Sequence, residues 1–174
     1  MSSVVANFSL INKIYIPKYI FPLSKVLFVG INFLITLIPL YGIILITGGH
    51  ITFVHLLLPF AIICLMLFTL GMGLILSTIS VFFRDMFYIY GIVLTLWTYL
   101  TPIMYDIKMI DPSYQFIFKL NPMYQFINFA RAIVLDNRVP EPIYFVYCLV
   151  AALVPLAIGV FVFRKNQDKF IYYV

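Results

Sequence analysis

From Val26 to Phe83 the chain runs 58 residues without one Asp, Glu, Lys or Arg, and Thr47-Gly48-Gly49-His50 breaks that run near its middle. A soluble domain carries about 25% charged residues and has no core large enough to hide such a stretch. A hydrocarbon layer about 30 Å thick is crossed by about 20 helical residues, so the run reads as two membrane crossings joined by a tight turn. Composition extends this to the rest of the chain, since 64% of the 174 residues are hydrophobic and only 10% are charged. Met1 to Ser24 is polar, proline-broken and basic towards its end, which is not the pattern of a cleaved secretory signal. Cys64 and Cys148 each sit alone in an apolar run, so they read as buried thiols and not as a disulfide framework or a metal knot.

The fold class expected is therefore an all-α integral membrane protein. Spans are predicted at about Val26 to Ile46, Phe53 to Phe82, Met86 to Tyr105 and Ile143 to Phe163. Lys13, Lys18, Lys25, Arg84, Arg164, Lys165 and Lys169 then flank one side. Lys108, Lys119, Arg131 and Arg138 flank the other, where Asp106, Asp111, Asp136 and Glu141 balance them. The excess of cations marks the cytoplasmic side, so four transmembrane helices with both termini inside satisfy the bias. The same cations form no stripe interleaved with exposed aromatics, which argues against a nucleic-acid partner. By segment, the expectation is a cytoplasmic loop at 1–25, three transmembrane helices at 26–105, an external segment at 106–141, the last transmembrane helix at 142–163 and a cytoplasmic tail at 164–174.

The external segment is rich in Tyr, Phe, Ile and Met and is not a plain loop. Asp111-Pro112 and Asn121-Pro122 each set a capping side chain before a proline at the first helical position, where the missing N–H is not needed. Two short helices are predicted, from Pro112 to about Leu120 and from Pro122 to about Leu135. On the second, Gln125, Asn128 and Arg131 recur every three residues as a polar stripe opposite Phe126, Ile127, Phe129, Ala130 and Ile133. Such a pair, too short to cross, reads as a re-entrant hairpin at a cavity mouth, or as two interfacial helices lying flat. Arg131 is expected either to attract an anionic substrate or to pair with Asp106 or Asp136.

Elsewhere, Thr69, Gly73 and Ser77 lie four residues apart with Gly71 beside them. This small-residue face suits close packing against a neighbouring span or against a second copy. Asn7 to Pro22 mixes Lys13 and Lys18 with aromatic and aliphatic residues under two prolines, as either a membrane-surface anchor or a docking surface. Arg84 and Asp85 are adjacent charges at a helix junction, where an anchor and a cap are the ordinary roles. Tyr88, Tyr90, Trp97, Tyr99 and Tyr105 populate the third span, where rings that also offer a hydrogen bond suit sugars as well as the interface. His50 and His55 would point apart on a helix, so no metal pair is expected. A membrane enzyme is disfavoured because no acid, base or metal cluster converges.

Asn7, Leu10, Ile11, Lys13, Pro17, Lys18, Ile20 and Pro22 resemble the cytoplasmic loop of permease subunits in ATP-binding-cassette exporters of cell-surface polysaccharides such as O-antigen and teichoic acid. Phe83-Arg84-Asp85, Thr101-Pro102-Ile103-Met104-Tyr105, Asn121-Pro122 with Arg131, and Phe163-Arg164-Lys165 through Phe170 are similar to that family's landmarks in order and spacing. The resemblance covers essentially the whole chain. It implies a homodimer of permeases in a bacterial plasma membrane, with two nucleotide-binding ATPase subunits beneath it, moving a lipid-linked glycan outward. ATP and Mg would be bound by the partner ATPase, since this chain lacks a Gly-rich loop ending in Lys and Ser or Thr and would hold no cofactor itself.

By the same resemblance, Asn7, Leu10, Ile11, Lys13, Pro17, Lys18 and Pro22, with Arg84 and Asp85, couple to the ATPase. Pro102, Tyr105, Asn121, Pro122 and Arg131 belong to an external gate, and Tyr88, Trp97 and Tyr99 are candidates for a glycan path. Family members begin with an amphipathic helix and two further spans before the coupling loop, so the chain resembles the carboxy-terminal two-thirds of a permease. A drug or haem permease of the same fold, or a tetraspan membrane protein without a transport role, stands as the alternative.

Overall fold

The computed structural model describes residues 19–48, 52–83, 85–103, 105, 107 and 111–167, and the described residues are helices joined by short turns. The helices are α1 (Ile20–Ile46), α2 (Leu58–Phe82, entered through a 3-10 turn at Phe53–Leu57), α3 (Met86–Leu100), α4 (Pro112–Leu120), α5 (Pro122–Val134) and α6 (Pro142–Asn166). Three stretches are long and apolar enough to cross a bilayer: Ile20–Ile46, Phe53–Phe82 and Pro142–Asn166, of 27, 30 and 25 residues. Leu27, Phe28, Ile31, Ile35 and Ile38 of α1 all stand exposed, which water would not tolerate on one helix and lipid does.

The last helix runs Pro142–Asn166 where Ile143 to Phe163 is predicted, and two boundaries differ by five residues or more. The first helix starts at Ile20 and not Val26, so Pro22 lies in its first turn, where a missing N–H costs no hydrogen bond. The third stops at Leu100 and not Tyr105. Pro102 disfavours helical backbone at Thr101 and cannot donate to the Thr98 carbonyl, and a tight turn follows with Ile103 N–H bonding Thr101 O at 2.8 Å. Fifteen residues of α3 rise about 22 Å, short of the hydrocarbon thickness, so the helical length shown does not itself make a fourth crossing. The turn after α1 follows its sequence: Gly48 takes φ +78° just past the helix end, a left-handed position that favours glycine.

The described residues fall into two compact units. One comprises α1, residues 66–87 and α6 from Ala152 onward. In it α2 and α6 meet backbone to backbone. A methyl added at Gly71 would lie 2.4 Å from the Leu156 nitrogen, and one at Gly159 would lie 2.4 Å from the Gly71 oxygen. Leu74, Val81 and Phe163 form the adjoining core, with Phe21, Leu70, Phe82 and Val160 packed around it. Ser77, Thr78 and Ser80 are buried there, and their hydroxyls donate to Leu74 O, Leu74 O and Ser77 O, so no polar group is left bare in an apolar surrounding. The close approach thus falls at Gly71, beside the predicted stripe of Thr69, Gly73 and Ser77 and not on it, and a methyl at Gly73 would meet nothing within 4 Å.

The other unit comprises residues 51–65 and 88–151. Phe60, Phe129 and Phe145 form its aromatic centre, with ring centroids 4.9–5.8 Å apart. Phe126, Phe129 and Ile133 of α5 are buried by it. α5 therefore covers its apolar face with protein. α4 differs: Tyr114, Phe116 and Leu120 remain exposed, which is the interfacial pattern.

Candidate functional site

The second unit holds its polar contacts at the place where α3 ends. A helix leaves its last carbonyls without partners, and in an apolar surrounding these must be met by other groups. Two side chains of the α4–α5 hairpin reach this place, one to the helix end and one to the turn after it. Asn121 Nδ2 donates to Leu100 O at 3.3 Å and to Thr101 Oγ1 at 3.0 Å, and the Thr101 hydroxyl donates to Trp97 O at 2.8 Å. Arg131 Nη2 donates to Ile103 O at 2.7 Å. Tyr105 adds a third tie, its hydroxyl donating to Tyr99 O at 2.7 Å while its ring packs edge-on against Phe118 of α4.

The hairpin is shaped by the caps read from the sequence. Asp111 accepts from Ser113 N–H at 3.0 Å and Asn121 accepts from Met123 N–H at 3.0 Å, each with proline at the first helical position. The Ser113 backbone N–H, followed by the Ser113 hydroxyl, holds the Asp111 carboxyl below its ordinary value. At the far end of α5, Asn137 adopts φ +50° and turns the chain back, with Arg138 N–H reaching Ala132 O at 2.9 Å. There Thr52 hydrogen-bonds to the Asn137 side chain, tying the 3-10 turn to the hairpin.

Of the residues assigned to a gate, Pro102, Tyr105, Asn121, Pro122 and Arg131 are gathered within this one unit. Pro102 and Asn121 are buried. Arg131 does not pair as expected with Asp136, which bonds Arg138 at 3.0 Å on the surface; the Ile103 carbonyl takes the guanidinium because the turn at Pro102 leaves that oxygen outside any helix. Asp106, the other partner considered, lies outside the described residues. So do Asn7, Leu10, Ile11, Lys13, Pro17, Lys18 and Arg84; of the coupling set, Pro22 is buried in α1 and Asp85 is exposed in the turn before α3. Tyr88, Trp97 and Tyr99 do not share one stripe. Tyr88 and Tyr99 are exposed and eleven residues apart, hence nearly in line, whereas Trp97 lies nine residues from Tyr88 and faces the opposite way. Sequence reasoning missed Thr101, although a hydroxyl just before a helix-ending proline is a signal that could have found it.

The profile of the ABC-2 type transporter family matches residues 3–135. The chain belongs to the ABC-2 type transporter family. Among curated relatives, an O-antigen export system permease protein RfbA of Klebsiella pneumoniae is 28% identical over 169 residues, covering 97% of this chain and 65% of the relative. Another from Klebsiella pneumoniae is 29% identical over 170 residues, with the same two coverages. One from Myxococcus xanthus is 29% identical over 171 residues, covering 95% of this chain and 65% of the relative. This ABC-2 chain thus spans about 65% of the length of the curated relatives it matches, and the match takes in both the caps and the end of α3.

Proposed function

We propose that this chain is the transmembrane permease of an ATP-binding-cassette exporter that carries a lipid-linked glycan of the O-antigen kind outward across the bacterial plasma membrane. One observation carries the reading: similarity to O-antigen export permeases runs through 95–97% of the chain. On this reading α3 together with the non-helical segment after it makes the fourth crossing, both termini lie inside, and the α4–α5 hairpin is the external gate. The hydrogen bonds from Asn121 and Arg131 to α3 support that role, since a hairpin so tied moves with the end of the helix it caps.

A second copy would complete the channel, and a separate nucleotide-binding ATPase would supply the energy through residues 7–22 and Arg84-Asp85. The test is pull-down of the tagged chain with a candidate ATPase, followed by surface-glycan immunoblotting in a strain lacking its own permease. Association with the ATPase and restored surface glycan are the expected results, and failure of both would sink the reading. Within it, Arg131→Ala is expected to slow export several-fold while the protein still inserts and assembles. Unchanged flux would remove Arg131 from the gate.

A further inference from the structure

Beyond Ala152, one face of α6 is an open groove lined by Leu153, Leu156, Ala157, Val160, Phe161 and Arg164. These positions recur at three- and four-residue spacing and so form one stripe, with Ala157, the smallest, as its floor. The helix packs through the adjoining side, where Gly159 meets Gly71 and Phe163 joins Leu74 and Val81, so that Leu156 and Val160 form the border between the two and are half-buried. Leu153 and Phe161 on the groove stay 46% and 67% exposed.

Two dimensions of this groove match a phospholipid. From Leu153 to Arg164 the helix rises about 16 Å, and half of a hydrocarbon core about 30 Å thick is about 15 Å. The groove is apolar along that depth and ends at Arg164 and Lys165, the basic last turn of α6. Neither has an acidic partner among the described residues, where the ion pair is Arg138–Asp136. A guanidinium at the depth of the headgroups, above an apolar helix face as long as one leaflet is deep, favours a lipid of net negative charge over a zwitterion, whose own ammonium offsets the attraction.

We infer that this groove seats an acyl chain of an anionic phospholipid, with the lipid phosphate on Arg164. The inference requires that α6 cross a bilayer and is independent of cargo and ATPase, so loss of export and loss of lipid binding are separable results.

The test places a Phe161→Trp reporter in the full chain on a Trp97→Phe background, reconstituted in phosphatidylcholine vesicles with rising fractions of phosphatidylglycerol, one lipid brominated at a time. Brominated phosphatidylglycerol should quench the reporter with about fivefold preference over phosphatidylcholine, the factor that about 1 kcal/mol per interfacial cation implies. Arg164→Gln should bring the preference close to unity and Arg164→Lys should largely keep it. Native mass spectrometry of phosphatidylglycerol retained by the unsubstituted chain and by Arg164→Gln checks the same claim without the reporter. Equal quenching by both lipids overturns the inference. A preference unmoved by Arg164→Gln also overturns it, as would follow if Asp168 held the guanidinium. Absence of quenching by either lipid overturns it too, because a protein helix then fills the groove.

Discussion

Asn121 uses both ends of its amide. Its oxygen caps α5 by accepting from Met123 N–H, and its nitrogen donates to Leu100 O and Thr101 Oγ1 at the end of α3. Ser, Thr or Asp would supply the first contact, but only a carboxamide supplies both. Asn121→Ala is therefore expected to cost about 2–3 kcal/mol, a cap and two hydrogen bonds, whereas Asn121→Asp keeps the cap and costs about 1–2 kcal/mol. Denaturant unfolding in detergent micelles measures the difference: equal losses would mean that the cap contributes nothing, and an Asn121→Asp as stable as the unsubstituted chain would mean that the donation to α3 contributes nothing. Asp111 makes a pH-dependent cap. Because its folded pKa is lowered by the Ser113 N–H, its contribution to α4 is fully present above the unfolded value of about 3.9 and is lost as pH falls through the lower folded value. Amide exchange in residues 112–120 is expected to speed up on acidification below about pH 4 relative to Asp111→Asn at the same pH, since the carboxamide accepts the same bond without titrating.

Among elements, α2 and α6 are held by what their glycines lack. Gly71→Ala drives a methyl into the Leu156 and Pro155 backbone, which cannot rotate away as a side chain end would. A loss of about 1–3 kcal/mol is expected, whereas Gly73→Ala, two residues on, meets open space and should be neutral or slightly favourable through helix propensity. Thermal unfolding of the two variants side by side decides this, and equal midpoints would place the crossing elsewhere. Spacing put Gly73 on the stripe with Thr69 and Ser77 and put Gly71 on nearly the opposite side of the helix, but it could not say which of the two sides a neighbour would meet. The hairpin was more legible. Its bounds at Pro112, Leu120 and Pro122 follow from capping chemistry that acts within two or three residues, and they agree with the structure to the residue.

At the scale of the molecule, the charges at the helix ends set which way the chain faces. Cations cluster at one set of helix ends, which predicts that the α4–α5 hairpin faces outward. Tyr114→Cys and Arg138→Cys, at two exposed positions of the segment, are expected to react with an impermeant maleimide added outside intact cells. The native Cys64 and Cys148 are buried and should stay silent. Reaction only after the inner face is opened would reverse the orientation and remove the gate proposal with it.

What the residues alone decided is everything governed by short range or by solvent: an all-helical membrane chain, the turn at Gly48, the two capped helices and the basic ends. Hydropathy and capping are properties of a segment and its medium, so they survive without knowledge of neighbours. What the tertiary structure decided is the set of partners. Arg131 meets the Ile103 carbonyl and not Asp136, Asn121 reaches back across twenty-one residues to Leu100, and Gly71 rather than Gly73 faces α6. Those outcomes depend on which unsatisfied backbone groups and which open surfaces come together in space, and pairing in an apolar medium is set by that proximity.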